Sequence, residues 1–194
     1  MESDEARTVN EATLASRRIA VVHPQVGSRG SVVSINVSFP GGVPKRPIDR
    51  THITTNGLVG DGQRTKAPIH GGPDKAVCLY GIEQMRRVNA DGHHLYPGAI
   101  GENLTIAGLE LGGLSAGDAL RIGNEASGPI IALTEYADPC KNIAASFEDW
   151  RIARVSAKVR PEDSRWYARV LREGEVVTGD QVELLDPAAT MGHR

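Results

Sequence analysis

Two cysteines in 194 residues, a net charge of −2 and no long apolar stretch mark what this sequence lacks. Two thiols, Cys78 and Cys140, are too few and too far apart for a disulfide framework or a thiolate metal cluster, which leaves room for one reactive cysteine. A near-neutral balance gives no electrostatic case for nucleic acid or an anionic membrane as partner. No apolar run reaches the roughly 20 residues that cross a bilayer. The opening MESDEARTVNEATLASRR has no apolar core of a secretion signal, so a cytoplasmic protein is expected.

What is present suffices for one folded unit: 40% of the residues are hydrophobic. Residues 1–17 are polar, mixed in charge and without a face to bury, so they read as a disordered or weakly helical arm. Order is expected over 18–187, beginning with a strand at IAVV (19–22), and the tail 188–194 is expected to fray.

Short strands separated by glycine and proline dominate. Val33, Ile35, Val37 and Phe39 alternate with Ser34, Asn36 and Ser38, the period-two pattern of a half-buried strand. The FPGGVPKRP that follows is turn chemistry, with Lys45 and Arg46 expected in solvent. Residues 76–80 form a short central strand in which Cys78 reads as a small core hydrophobe. Ile82, Met85 and Val88 recur at helical spacing, with Glu83 in the first turn and Asp91-Gly92 as the stop. His93 and His94 follow as surface histidines. GDALRI (117–122) and GDQVEL (179–184) share a Gly-Asp turn feeding an alternating strand, which suits a barrel. Ile143, Phe147 and Trp150 predict a helix over 140–150, continued by Ile152, Val155 and Val159. SRWYARVL (164–171) is expected to pair with 176–185 as a closing hairpin.

The chemistry concentrates in residues 57–80, GLVGDGQRTKAPIHGGPDKAVCLY. Glycines there permit positive φ and close approach to a ligand, and Asp61, Gln63, His70, Asp74 and Lys75 sit among them. A loop this long without periodicity serves a site more often than not. His70, Asp74 and Lys75 form a compact acid-base and anion-binding group, with the N–H groups of Gly71 and Gly72 placed for an anion nest. Cys140 follows Pro139 and stands where the predicted helix would begin. Free N–H groups and Lys141 would there favour a thiolate able to ligate a soft metal, carry a persulfide or attack as a nucleophile.

Four motifs in order, GD-x-Q, HGGPDKAV, PGAIGENLTI (97–106) and PCK (139–141), resemble the MOSC domain, the family of molybdenum cofactor sulfurase C-terminal domains. The likeness is strongest to the short bacterial branch that includes the hydroxylaminopurine-resistance proteins. It implies a mainly β fold with a few helices, a partly closed barrel of mixed strands. It also implies molybdenum cofactor (molybdopterin) bound through Cys140 as metal ligand, and reduction of N-hydroxylated compounds. The implied catalytic set is Cys140, His70, Glu102 and Asp138; the implied cofactor-binding set is Asp61, His70, Gly71, Gly72, Asp74, Lys75, Asn103 and Lys141. A small-molecule substrate and a redox or sulfur-donor protein are the implied partners.

In one place the chain departs from that pattern. Relatives commonly carry arginine three residues before the PC cysteine, a fixed cation suited to a pterin phosphate or an oxo-metal centre. Here the position is Ala137, flanked by Glu135, Tyr136 and Asp138. Three rival readings stand beside cofactor-dependent reduction. One is a sulfur carrier or sulfurtransferase with a Cys140 persulfide. Another is a metal-free lyase or tailoring enzyme using Glu135, Tyr136, Asp138 or His70 for acid-base chemistry. The third is a non-catalytic module that holds or delivers cofactor.

Overall fold

A computed structural model describes residues 21–62 and 71–190. Both the arm at 1–17 and the site candidates Gln63 and His70 lie outside the described residues.

The chain runs through β1 (Arg29–Val37), β2 (Arg46–Ile48), β3 (Arg50–Thr54), β4 (Gly57–Leu58), β5 (Val77–Gly81), α1 (Ile82–Ala90) and β6 (Leu104–Ala107). It continues through β7 (Ala119–Ile122), β8 (Ile130–Ala137), β9 (Arg165–Arg172), β10 (Gly174–Val177) and β11 (Gln181–Leu184). The main sheet is ordered β11-β7-β8-β9-β5-β6-β1 and closes on itself through β1–β11, with β2 appended to β1. The expected mixed barrel is therefore present, and its closure is complete. Among the described residues only β5 and β6 run parallel; α1 supplies the crossover that a parallel pair requires. A small second sheet joins β10, β3 and β4.

The echoed Gly-Asp strands are neighbours, since Leu184, Glu183 and Val182 pair with Leu120, Arg121 and Ile122. Inward positions of the barrel, among them Ile35, Leu79, Leu104, Ile106, Leu120 and Ile131, are fully buried. A second apolar cluster fills the space outside β5: Tyr80, Met85, Val88, Ile100, Ile143, Phe147 and Val155. So β5 is buried on both faces. Val77 and Leu79 enter the barrel core, while Tyr80 enters the second cluster.

Four expectations are corrected. Val21 and Val22 form no strand, and Val22 is exposed. The alternation in β1 breaks at a bulge between Val32 and Ser34, where the register to β6 shifts. The extra residue, Val33, turns outward, Ser34 and Asn36 are buried together with Val32 and Ile35, and Phe39 is exposed. The closing hairpin does not form: β9 lies between β5 and β8, β10 leaves for the second sheet, and β11 pairs with β7 and β1.

The fourth correction bears on the thiol. Residues 140–150 make no α-helix but two 3₁₀ segments, Lys141–Ser146 and Glu148–Trp150, separated by extended Phe147. Their bonds span three residues: Ile143 N donates to Cys140 O at 3.1 Å, and Phe147 N to Ala144 O at 3.1 Å. Ile143 and Phe147 reach the second cluster as the spacing required, whereas Trp150 and Val159 face solvent.

Candidate functional site

One cavity, of about 190 Å³, gathers most of the chemistry. It lies where the β1–β2 connection, the loop after β4, the start of β5, the approach to β6 and the exit from β8 converge on β9. Strand register explains the wall. Cys78 and Tyr167 are partners across β5–β9, and Ala137 and Arg165 are partners across β8–β9. Cys78, Tyr167 and Arg165 therefore share the face away from the barrel core, and all three line the cavity. Cys140, three residues beyond Ala137, completes that side.

The opposite side is set by Asp61. Gly62 packs on the β1–β2 loop so closely that a Cβ would stand 2.5 Å from the Pro40 carbonyl, which holds the loop against Ser38. Asp61 Oδ1 accepts from Ser38 N at 2.8 Å, and its Oδ2 accepts from Lys45 Nζ at 2.5 Å and Asn103 Nδ2 at 2.8 Å. Asn103 in turn accepts from Cys78 N through Oδ1 at 3.1 Å and donates to Asn36 O at 3.3 Å. Asp61 and Asn103 thus line the cavity as fixed struts. Their polar atoms are engaged, and their effect is to place Lys45 and to tie β6 to β5.

Lys75 lines the cavity as expected, with its ammonium 3.1 Å from Glu135 and 5.4 Å from the Tyr167 ring centroid. Glu135, the carboxylate that stood against an anionic ligand, is directed at a cation. Burial pushes the Tyr167 phenol up, so it lines the cavity as a neutral, proton-bearing group. Burial likewise raises the Cys78 thiol. The core placement of Cys78 holds, but it also borders the ligand space.

Arg165 is the residue the sequence reading missed. It is 6% exposed, donates through Nη1 to Ile100 O and through Nη2 to Ala137 O at 3.5 Å and Asp138 O at 3.4 Å, and its Nε has no acceptor among the described residues. Lys45, expected in solvent, is likewise at the cavity. Arg46, beside it, is exposed.

Other expected site residues lie elsewhere. Asp74 is paired with Arg169 at 3.0 Å in a separate groove on β8 and β9. Lys141 and the Asp138 side chain are exposed and do not line the cavity. Gly71 borders it, but Gly71 and Gly72 both have positive φ (84° and 90°), whereas a nest alternates hand. Glu102 is fully buried behind the wall, accepting from Gly98 N at 2.7 Å and Thr105 Oγ1 at 3.2 Å. Burial pushes its carboxyl up, against the pull of Gly98, Arg165 and Thr105. His93 is also buried rather than surface-exposed: its Nδ1 accepts from Glu148 N at 3.1 Å, and burial lowers its pKa.

Residues 66–183, which hold the HGGPDKAV, GENL and PCK motifs, match the MOSC domain. The chain belongs to the MOSC family. It is 33% identical to the uncharacterized protein YflK of Bacillus subtilis over 171 residues, 81% of this chain and 74% of YflK. A protein of Gibberella moniliformis named a reductase is 28% identical over 137 residues, 69% of this chain but 23% of its own length. The crystal structure of the YUAD protein of Bacillus subtilis shares the fold, with a TM-score of 0.64 at 18% identity over 80% of this chain and 95% of that one. As a MOSC domain, this chain carries its PC cysteine in the lining of a cavity whose cations, among the described residues, come from three separate elements, Lys45, Lys75 and Arg165. Among the described residues no helix is long and apolar enough to cross a membrane.

Proposed function

We propose that this MOSC domain binds molybdenum cofactor with Cys140 as the protein ligand to the metal, and that it reduces N-hydroxylated or related N-oxygenated compounds. The observation that carries the reading is the meeting of a thiol with three cationic side chains at one cavity whose lining, among the described residues, holds a single carboxylate, Asp61. That carboxylate is already paired with Lys45. The donor set fits the group: a thiolate suits a soft metal, and a buried guanidinium with an unpartnered Nε suits an anionic pterin. Family membership supports the cofactor class, and the relative named a reductase supports the direction of the chemistry.

When bound, the cofactor would supply the redox electrons for N–O bond reduction. The balance is R–NHOH plus two electrons and two protons to R–NH2 and water, with the electrons drawn from an electron-donor protein. The chain's own residues do the rest. Cys140 would hold the metal; Lys45, Lys75 and Arg165 would neutralise negative groups of the ligand; the Tyr167 hydroxyl holds a proton at the cavity wall. Asp61 and Asn103 keep Lys45 and the β5–β6 edge in place.

The test is reduction of an N-hydroxylated amine by the reconstituted protein with reduced viologen as electron source. Wild type should turn over and Cys140→Ser should not. Equal rates in the two would remove Cys140 from the reaction. A mass increase of about 32 Da on Cys140 in protein that binds no metal would point instead to persulfide transfer.

A further inference from the structure

Arg165 is a buried charge with no ion-pair partner among the described residues. Its contacts are the carbonyls of Ile100, Ala137 and Asp138, and among the described residues no carboxylate forms an ion pair with it. Glu102, a buried carboxyl that feels the Arg165 charge, accepts from Gly98 N and the Thr105 hydroxyl through Oε1 and forms no ion pair with Arg165 among the described residues; its Oε2 has no hydrogen-bond partner there. A buried cation held only by neutral dipoles costs free energy that a bound anion would offset. Gly101 lines the same cavity with φ +89°, and a Cβ there would stand 2.9 Å from Val43 Cγ1 and 3.8 Å from Arg165 Nη1, so the wall beside the guanidinium has no room for a side chain.

We propose that Arg165 is the principal anion-binding residue of the cavity, taking an oxyanion group of the ligand, either a phosphate or the oxo face of a metal centre. It thereby does, from the neighbouring strand, what an arginine at position 137 would do. Register makes the exchange feasible. Ala137 and Arg165 are cross-strand partners, so a guanidinium rooted on β9 reaches the same region as one rooted on β8, and the small side chain at 137 leaves it room. Lys45 and Lys75 assist, each already shared with a carboxylate. This inference rests on reading the cavity as the ligand site, but it does not require that the ligand contain molybdenum.

The experiment is calorimetric titration of the full chain with inorganic phosphate and with molybdate, at constant ionic strength. Arg165→Gln keeps amide donors for the carbonyls while removing the charge, and should weaken phosphate about tenfold or more. Arg165→Lys, which keeps the charge but not the fork, should fall between. Adding Ala137→Arg to Arg165→Gln should recover most of the lost affinity. Cys140→Ser separates the two sources. If molybdate alone weakens, the oxo-metal face is the group bound; if neither changes, it is the phosphate.

Unchanged phosphate affinity in Arg165→Gln would overturn the proposal. If that variant fails to fold, wild type decides: phosphate should raise the melting temperature above an equal ionic strength of chloride, and no rise would overturn it as well. Metal loading is read separately. Unchanged phosphate affinity together with normal loading of Arg165→Gln would sink this inference and leave the cofactor reading intact. Phosphate binding that depends on Arg165, in a wild type that takes up no cofactor, would do the reverse.

Discussion

Ala137 and Arg165 stand opposite each other in the β8–β9 ladder, and Arg165 Nη2 donates back to the Ala137 carbonyl at 3.5 Å. Ala137 is 1% exposed, so its small side chain is a condition for the guanidinium's position. An arginine at 137 in the wild-type background would crowd a filled site and set two cations side by side. Ala137→Arg alone should therefore lose stability, by about 1–3 kcal/mol from overpacking with charge repulsion added. Urea unfolding of the single variant and of Ala137→Arg/Arg165→Gln checks this: the double variant should recover part of the loss. A single variant as stable as wild type would mean that the two positions do not compete for space.

Asp163 holds α1 to the segments that support the cavity. Its carboxylate is 1% exposed and lies 2.6 Å from Arg87 Nε and 2.5 Å from Arg154 Nη1. Removing it would leave two partly buried cations short of an anion. Asp163→Ala should cost about 3–5 kcal/mol in denaturant unfolding, with Arg154→Ala, which leaves Asp163 still paired with Arg87, costing less. A change below roughly 1 kcal/mol, the scale of a surface pair, would show that the network contributes little.

Burial raises Glu102, and the sign of its effect on stability follows. Well below the ordinary carboxylate range both folded and unfolded chains hold the proton, so nothing is lost. As pH rises through that range the unfolded chain releases its proton first, and folding becomes less favourable until the folded carboxyl ionises too. Glu102→Gln removes this dependence while keeping an acceptor for Gly98 N and Thr105 Oγ1. Thermal unfolding from about pH 4 to about pH 8 should show the variant gaining on wild type as pH rises. A difference that does not change with pH would contradict it.

The two thiols should differ in reactivity although they border one cavity. Cys78 is buried in β5 and its thiol is raised by burial, whereas Cys140 is partly exposed. Iodoacetamide on the native protein should label Cys140, with Cys78 at least roughly tenfold slower until the protein is unfolded. Peptide mapping reads the ratio, and preferential labelling of Cys78 would reverse the assignment.

Much of the barrel was legible in the sequence because its signals are local. Gly117 and Gly179 announce the turns into β7 and β11, and Ile82, Met85 and Val88 announce α1, which ends at Asp91 as read. Errors arose where a local pattern had two solutions. The spacing of Ile143 and Phe147 is met equally by an α-helix and by 3₁₀ segments around an extended Phe147, and no residue type in 140–150 forbids the second. The alternation through Phe39 could not reveal a bulge at Val33, which depends on the partner strand.

The site divides along the same line. Asp61, Lys75, Asn103 and Cys140 could be found because they sit in motifs. Arg165 is 25 positions beyond Cys140 and reaches the cavity only because β8 and β9 pair, a long-range fact with no local mark. The one available hint was the period of SRWYARVL, which sets Arg165 and Tyr167 on the face away from Trp166, Ala168 and Val170. Asp74 failed for the opposite reason: adjacent in sequence to Lys75, it points to another groove, since neighbours in a tight turn diverge.

The most direct test of the central claim is the molybdenum-to-protein ratio after incubation with molybdenum cofactor and gel filtration, for wild type and Cys140→Ser side by side. The account predicts close to one metal per chain in wild type and almost none in Cys140→Ser, with unchanged melting temperature in the absence of cofactor. Equal ratios in the two proteins, or no metal in either, would contradict it.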